Sequence, residues 1–68
     1  MSVQKGDRVR ILDGRNGPGW LIVGAEATVD YLLPEYGKII CVLDEPSCGH
    51  TSCCLYESQE GGHWERAA

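Results

Sequence analysis

Four side chains able to hold a soft metal or act as nucleophiles fall between positions 48 and 54: Cys48, His50, Cys53 and Cys54. Thiolate and imidazole are good zinc ligands. Structural zinc sites usually join two separated hooks of the Cys-x-x-Cys kind, whereas Cys53 and Cys54 are adjacent. On a strand, neighbouring side chains point to opposite faces. The spacing therefore favours a core thiol at Cys53, a surface thiol at Cys54, and loop positions for Cys48 and His50. A zinc-stabilised module built on the four, with His63 as a distant further ligand, is the rival arrangement. Nucleophilic use of a cysteine needs a cation to hold the thiolate. His50 is the nearest candidate, but no third group is placed to orient it, so no catalytic residue is assigned and no cofactor is expected.

The carboxylates Glu35, Asp44 and Glu45 are scattered. None forms a pair spaced for general acid–base work, and solvated loops account for them. No phosphate-cradling glycine motif and no Ser-His-Asp order occurs. The remaining chemistry is aromatic. Trp20 follows Gly17-Pro18-Gly19 at the end of a loop, Tyr36 sits in a turn, and Tyr56 ends an apolar run. Large aromatic groups on loops and strand ends either cap a core or anchor a partner. Trp20, Tyr36 and Tyr56 are accordingly the candidate ligand- or partner-binding residues, and Trp64 is expected to close the far end of the fold.

These residues are positioned by strands. From Asp7 to Leu12, Arg8 and Arg10 alternate with Val9 and Ile11, the period of a half-buried strand. Residues 13–19 form a loop rich in glycine, and residues 20–23 are a short apolar stretch, strand or irregular. The organising feature is the hairpin from Ala25 to Glu45, joined at Pro34-Glu35-Tyr36-Gly37. In Ala25–Leu33 the residues Ala27, Val29, Tyr31 and Leu33 share one face; Glu26, Thr28 and Asp30 share the other, with Leu32 as an apolar exception. Lys38–Asp44 is apolar on both faces. Residues 45–51 read as a loop, Ser52–Glu57 as a fourth strand with room for a single helical turn near residues 56–59, Gly61-Gly62 as a turn, and residues 63–66 as a short fifth strand. Leu32, Ile40 and Val42 are then surplus to a single core, and they are the candidate oligomer interface.

At 68 residues the chain is one domain, with both termini expected to fray, and buries only about 60% of the surface it exposes when unfolded. Such chains commonly lean on a metal, a disulfide or a second subunit. Six bases against ten acids give a net charge of −4, which disfavours nucleic acid, whose binding needs many cations on phosphates. No apolar run approaches the roughly 18 residues of a membrane span. The polar start from Met1 to Asp7 lacks the apolar core of a secretion signal, so the expected address is the cytoplasm, with the four cysteines reduced.

Gly6-Asp7-Arg8-Val9-Arg10-Ile11, followed after a loop by Gly24-Ala25-Glu26-Ala27-Thr28-Val29, resembles the opening two strands of many SH3-like barrels. Ala27 stands where those families usually carry glycine before Thr-Val. The resemblance implies an all-β, small five-stranded SH3-like barrel. Within that group, Gly6 to Arg10, Ile22-Val23-Gly24 and Ser52-Cys53-Cys54-Leu55-Tyr56 resemble stretches of the plasmid type II dihydrofolate reductases, tetramers lining one pore. The glutamine that contacts ligand there falls on Cys54 and a lysine falls on Ile11, so only Leu55 and Tyr56 carry over. Arg8 to Leu12 also resembles the first strand of the small SH3-like subunit of photosystem I, and the chain further resembles the SH3-like part of nitrile hydratase. The last two imply docking inside an assembly without chemistry of their own.

The reading taken from the sequence is a non-catalytic interaction module. It associates with itself through Leu32, Ile40 and Val42, or with another protein or small ligand through its aromatic groups. An oligomeric reductase and the zinc-stabilised module are the alternatives.

Overall fold

Val9, Ile11, Ala27, Val29, Ile39, Cys41, Cys53 and Leu55 recur at every second position along four segments, and all are buried. That alternation makes each segment a strand with one face inward. The computed structural model describes residues 3–12 and 21–67. It contains β1 (Arg8–Ile11), β2 (Glu26–Leu33), β3 (Lys38–Ser47), β4 (His50–Tyr56) and β5 (Trp64–Ala67). All pair antiparallel in one sheet of order β4-β3-β2-β1-β5. The protein is a small all-β domain.

β4 and β5 lie at opposite edges of that order, yet only residues 57–63 separate them in the chain. The sheet must therefore curl until its edges approach. Trp64 bridges them: its indole N–H donates to the Tyr56 carbonyl at 2.8 Å, and its ring is fully buried. A 3-10 turn at Glu57–Gln59 carries the chain across. The interior of the curl holds the core, with Val3, Leu21 and Leu43 completing it.

The central hairpin turns at Pro34–Tyr36, a single 3-10 turn ended by Gly37 in the left-handed region, φ 64°. Pro34 has no N–H to donate and supplies the φ that a first turn position needs. Two expectations need correction.

The first concerns β2. Val29 pairs with Cys41, but the next pair is Tyr31 with Ile40, so Asp30 is one residue extra. A bulge of this kind shifts the period by one and swaps the faces beyond it. Leu32, opposite Ile39, therefore packs against the core, while Tyr31 is 49% exposed. Leu32 does not belong to an outward apolar set, and Tyr31 takes its place. Hydrogen bonds from Gly6 N–H to the Val29 carbonyl (2.8 Å) and from Val29 N–H to the Asp7 carbonyl (2.8 Å) hold the chain at the bulge.

The second concerns residues 45–51. They are not a long loop. β3 runs to Ser47, β4 starts at His50, and Ser47 pairs with His50. Cys48 and Gly49 alone make the turn, both at positive φ (51° and 83°). Two successive left-handed residues give the turn twist that matches antiparallel strands.

Of the two alternatives for the apolar stretch, residues 21–23 take the irregular one and form no strand. Leu21 is buried in the core, whereas Ile22 and Val23 are exposed.

Candidate functional site

The outer face of the sheet divides in two. On one half, β1 and β2 place Arg8, Arg10, Glu26 and Thr28 in register. Arg8 donates to Asp44 (2.7 Å), Glu26 (3.0 Å) and Thr28 (2.9 Å), and Arg10 donates to Glu65 (3.1 Å). The hydrogen bonds that Arg8 donates hold the Asp44 carboxyl below its ordinary range, and those it gives to Asp44 and then to Glu26 raise the Arg8 guanidinium. This half is saturated with its own partners.

The other half is apolar. Tyr31, Ile40 and Cys54 lie on one rung just past the bulge, Thr28, Val42 and Ser52 on a rung before it, and Lys38 and Tyr56 on the rung at the far end. Val42 is 46% exposed. Tyr36, from the hairpin turn, and Tyr56, from β4, stand on either side of Lys38, whose ammonium lies 5.7 and 6.0 Å from their ring centres. Such distances are the outer limit of a cation–π contact. Lys38 thus tethers two exposed rings beside Ile40 and Val42. Of the residues singled out from sequence, Tyr36 and Tyr56 come together, and Ile40 and Val42 join them on one surface. Leu32 lies beneath the sheet. Trp20 lies outside the described residues.

The thiols separate. Cys53 faces inward opposite Cys41, Cys54 faces outward opposite Ile40, and Cys48 is exposed in the turn. The Cys41 thiol is pushed up, first by its hydrogen bond with Cys53 and then by burial, so it stays a protonated core group. Strand alternation, which put Cys53 and Cys54 on opposite faces, is the physical reason that Cys48, His50, Cys53 and Cys54 do not converge. Among the described residues no three His, Cys, Asp or Glu groups are placed to hold a metal ion.

Sequence reasoning passed over one further feature. A groove of about 550 Å³ runs between residues 21–26 and the end of β3 at residues 43–47. Its floor includes Leu21, Ala25 and Leu43. The signal for it was the adjacency of Ile22-Val23 to a glycine, two apolar residues with no strand to bury them.

No family model, characterised protein or solved structure matches this chain. What is established is the class: a five-stranded, all-β small domain. No helix among the described residues is long and apolar enough to cross a membrane.

Proposed function

We propose that this protein is a non-catalytic interaction module, an SH3-like barrel in kind, that associates with a second copy of itself through the apolar half of its outer face. The observation that carries the reading is the single surface formed by Tyr31, Ile40 and Val42 with Tyr36 and Tyr56. Taking an Ile, Val or aromatic side chain out of water stabilises association by roughly 1.5–3 kcal/mol each before entropic losses. The Tyr36–Lys38–Tyr56 group at the end of the same surface is left for a protein or small ligand.

Two features favour a second copy as the first partner. The patch runs to β4, an edge strand whose sequence His-Thr-Ser-Cys-Cys-Leu-Tyr contains no carboxylate, lysine, arginine or proline. Edge strands are ordinarily guarded by such residues. The opposite edge, β5, is short and carries Glu65 and Arg66. Beside the patch, the charged half of the face satisfies itself, so it can border an interface without demanding a charged partner.

Sedimentation equilibrium is the test. The wild-type protein is expected to associate reversibly at micromolar concentration, and Val42→Lys to sediment as a folded monomer with an unchanged circular-dichroism spectrum. A wild-type protein that stays monomeric at every accessible concentration overturns the reading.

A further inference from the structure

The groove between residues 21–26 and 43–47 is separate from the apolar half-face. Its volume, about 550 Å³, falls within the roughly 300–1,000 Å³ typical of ligand sites. Leu21, Ala25 and Leu43 line its floor, and Ile22 and Val23 stand at its lip, 62% and 60% exposed. Exposed aliphatic side chains flanking an apolar floor are unfavourable in water unless something covers them.

The backbone sets the shape of what fits. Pairing between β2 and β3 ends at Ala27 with Leu43, but β3 continues as extended chain through Asp44, Glu45, Pro46 and Ser47. The chain ahead of β2 turns away to β1 instead: Ile11 N–H donates to the Ala25 carbonyl (2.9 Å) and Gly24 N–H to the Ile11 carbonyl (2.7 Å). A stretch of β3 one strand long is therefore left alongside the groove with no β2 residue paired to it. Pro46 has no N–H to donate, so an extended segment laid there is held mainly through its side chains, with only part of the ladder by which sheet edges bind peptides.

The charge sets its composition. Glu26, Asp44 and Glu45 line the groove, and no lysine or arginine does among the described residues. Arg8 and Arg10 already pair with Glu26, Asp44 and Glu65, so Glu45 is the groove carboxylate whose charge is left to a partner. The chain as a whole is at −4.

We propose that this groove binds an extended, basic peptide segment, with apolar side chains on the Leu21–Ala25–Leu43 floor and lysine or arginine side chains over Glu45 and its neighbours. This site does not depend on self-association, and its test keeps the two apart.

The probe is an acetylated, amidated pentapeptide, Lys-Leu-Lys-Val-Lys, titrated into isotopically labelled protein and followed by amide chemical shifts. Saturable shifts are expected at residues 21–26 and 43–47. Glu45→Lys is expected to weaken binding by about fivefold, the scale of one exposed ion pair, and Val23→Ser, which removes the apolar lip without adding charge, to weaken it as well. Added salt should weaken wild-type binding. The monomeric Val42→Lys variant should bind as the wild type does, so a failure of the self-association reading leaves this result intact. The proposal is overturned if the shifts fall on Tyr36, Tyr56 or Ile40, if a Glu-Leu-Glu-Val-Glu peptide binds equally, if spermidine alone reproduces the same shifts with the same affinity, or if no shift saturates.

Discussion

The two halves of the outer face are built from the same strands and answer water in opposite ways. On the half formed by β1 and the start of β2, every second residue is charged or polar, and Arg8, Arg10, Glu26, Asp44 and Glu65 satisfy one another across strands. On the half formed by β3, β4 and the end of β2, Tyr31, Ile40, Val42, Cys54 and Tyr56 face outward, with Lys38 beside the rings. The boundary between them is the bulge at Asp30. Before it, β2 turns Glu26 and Thr28 outward; after it, β2 turns Tyr31 outward beside Ile40. One inserted residue thus turns Tyr31 outward in place of Leu32 and sets an aromatic side chain beside Ile40. A charged surface closed on itself asks for nothing further, whereas an apolar one beside an unguarded edge does.

The comparison holds only while the sheet stays curled, and Trp64 is the residue that keeps it so. Removing its ring should cost about 3–5 kcal/mol, against a total of about 3–10 kcal/mol for a domain of this length. Trp64→Ala is expected to lose its urea transition and the two-sided face together. Trp64→Phe retains most of the packing and loses the hydrogen bond to the Tyr56 carbonyl, about 1 kcal/mol. If Trp64→Ala unfolds with wild-type cooperativity and midpoint, the seam between β4 and β5 is held by something else.

The apolar half is broken by charge. Ile40→Asp is expected to weaken self-association by more than about tenfold, the equivalent of losing one buried aliphatic side chain, with little effect on the stability of the monomer. The mirror experiment on the charged half is Glu65→Gln, opposite Arg10 on β5, which should leave the sedimentation profile as it is. Loss of association in Glu65→Gln but not in Ile40→Asp would reverse the assignment of the two halves.

The charged half is broken by acid and salt. Arg8 depresses the Asp44 carboxyl, so Asp44 binds its proton less readily in the folded than in the unfolded chain. Its contribution is fully present above the ordinary carboxylate value and is lost as pH falls through the lower, folded value. Asp44→Asn should therefore be less stable than wild type at neutral pH, and the gap in Tm should close on acidification below the ordinary range. Both side chains are exposed, so about 1 M salt, with a Debye length near 3 Å, should narrow the gap as well. A gap that widens in acid would mean that the pair does not stabilise the fold.

Much of this architecture was legible before any coordinates. Alternation placed four strands, Pro34 and Gly37 placed the central turn, and Gly61-Gly62 placed the approach to β5. The surface was read less well, because a single-residue offset leaves no mark. Asp30 is an ordinary strand-face residue, neither glycine nor proline, and nothing local shows that β3 skips it. Leu32 was thus assigned outward and Tyr31 inward, each one face in error. The groove was hidden for a related reason. Glu45 and Pro46 look like loop residues, and only the register shows that β3 extends beyond the end of β2. Which strand outlasts its neighbour is a property of pairing between distant segments, not of either segment alone.

The turn between β3 and β4 offers the smallest and sharpest test, because it touches neither half of the face. Cys48 holds φ at 51° without being glycine. The left-handed region crowds Cβ against the backbone, at about 1–2 kcal/mol for most side chains, and asparagine tolerates it better. Cys48→Asn should raise stability by about 0.5 kcal/mol while leaving self-association and the Asp44 acid dependence as they were. β3 carries Asp44 on the charged half and Val42 on the apolar half, only two positions apart, so any slip of the hairpin would disturb both at once. A variant that gains stability with both properties unchanged places the division of the face in the strand register. A variant that alters either property would instead place it in the turn.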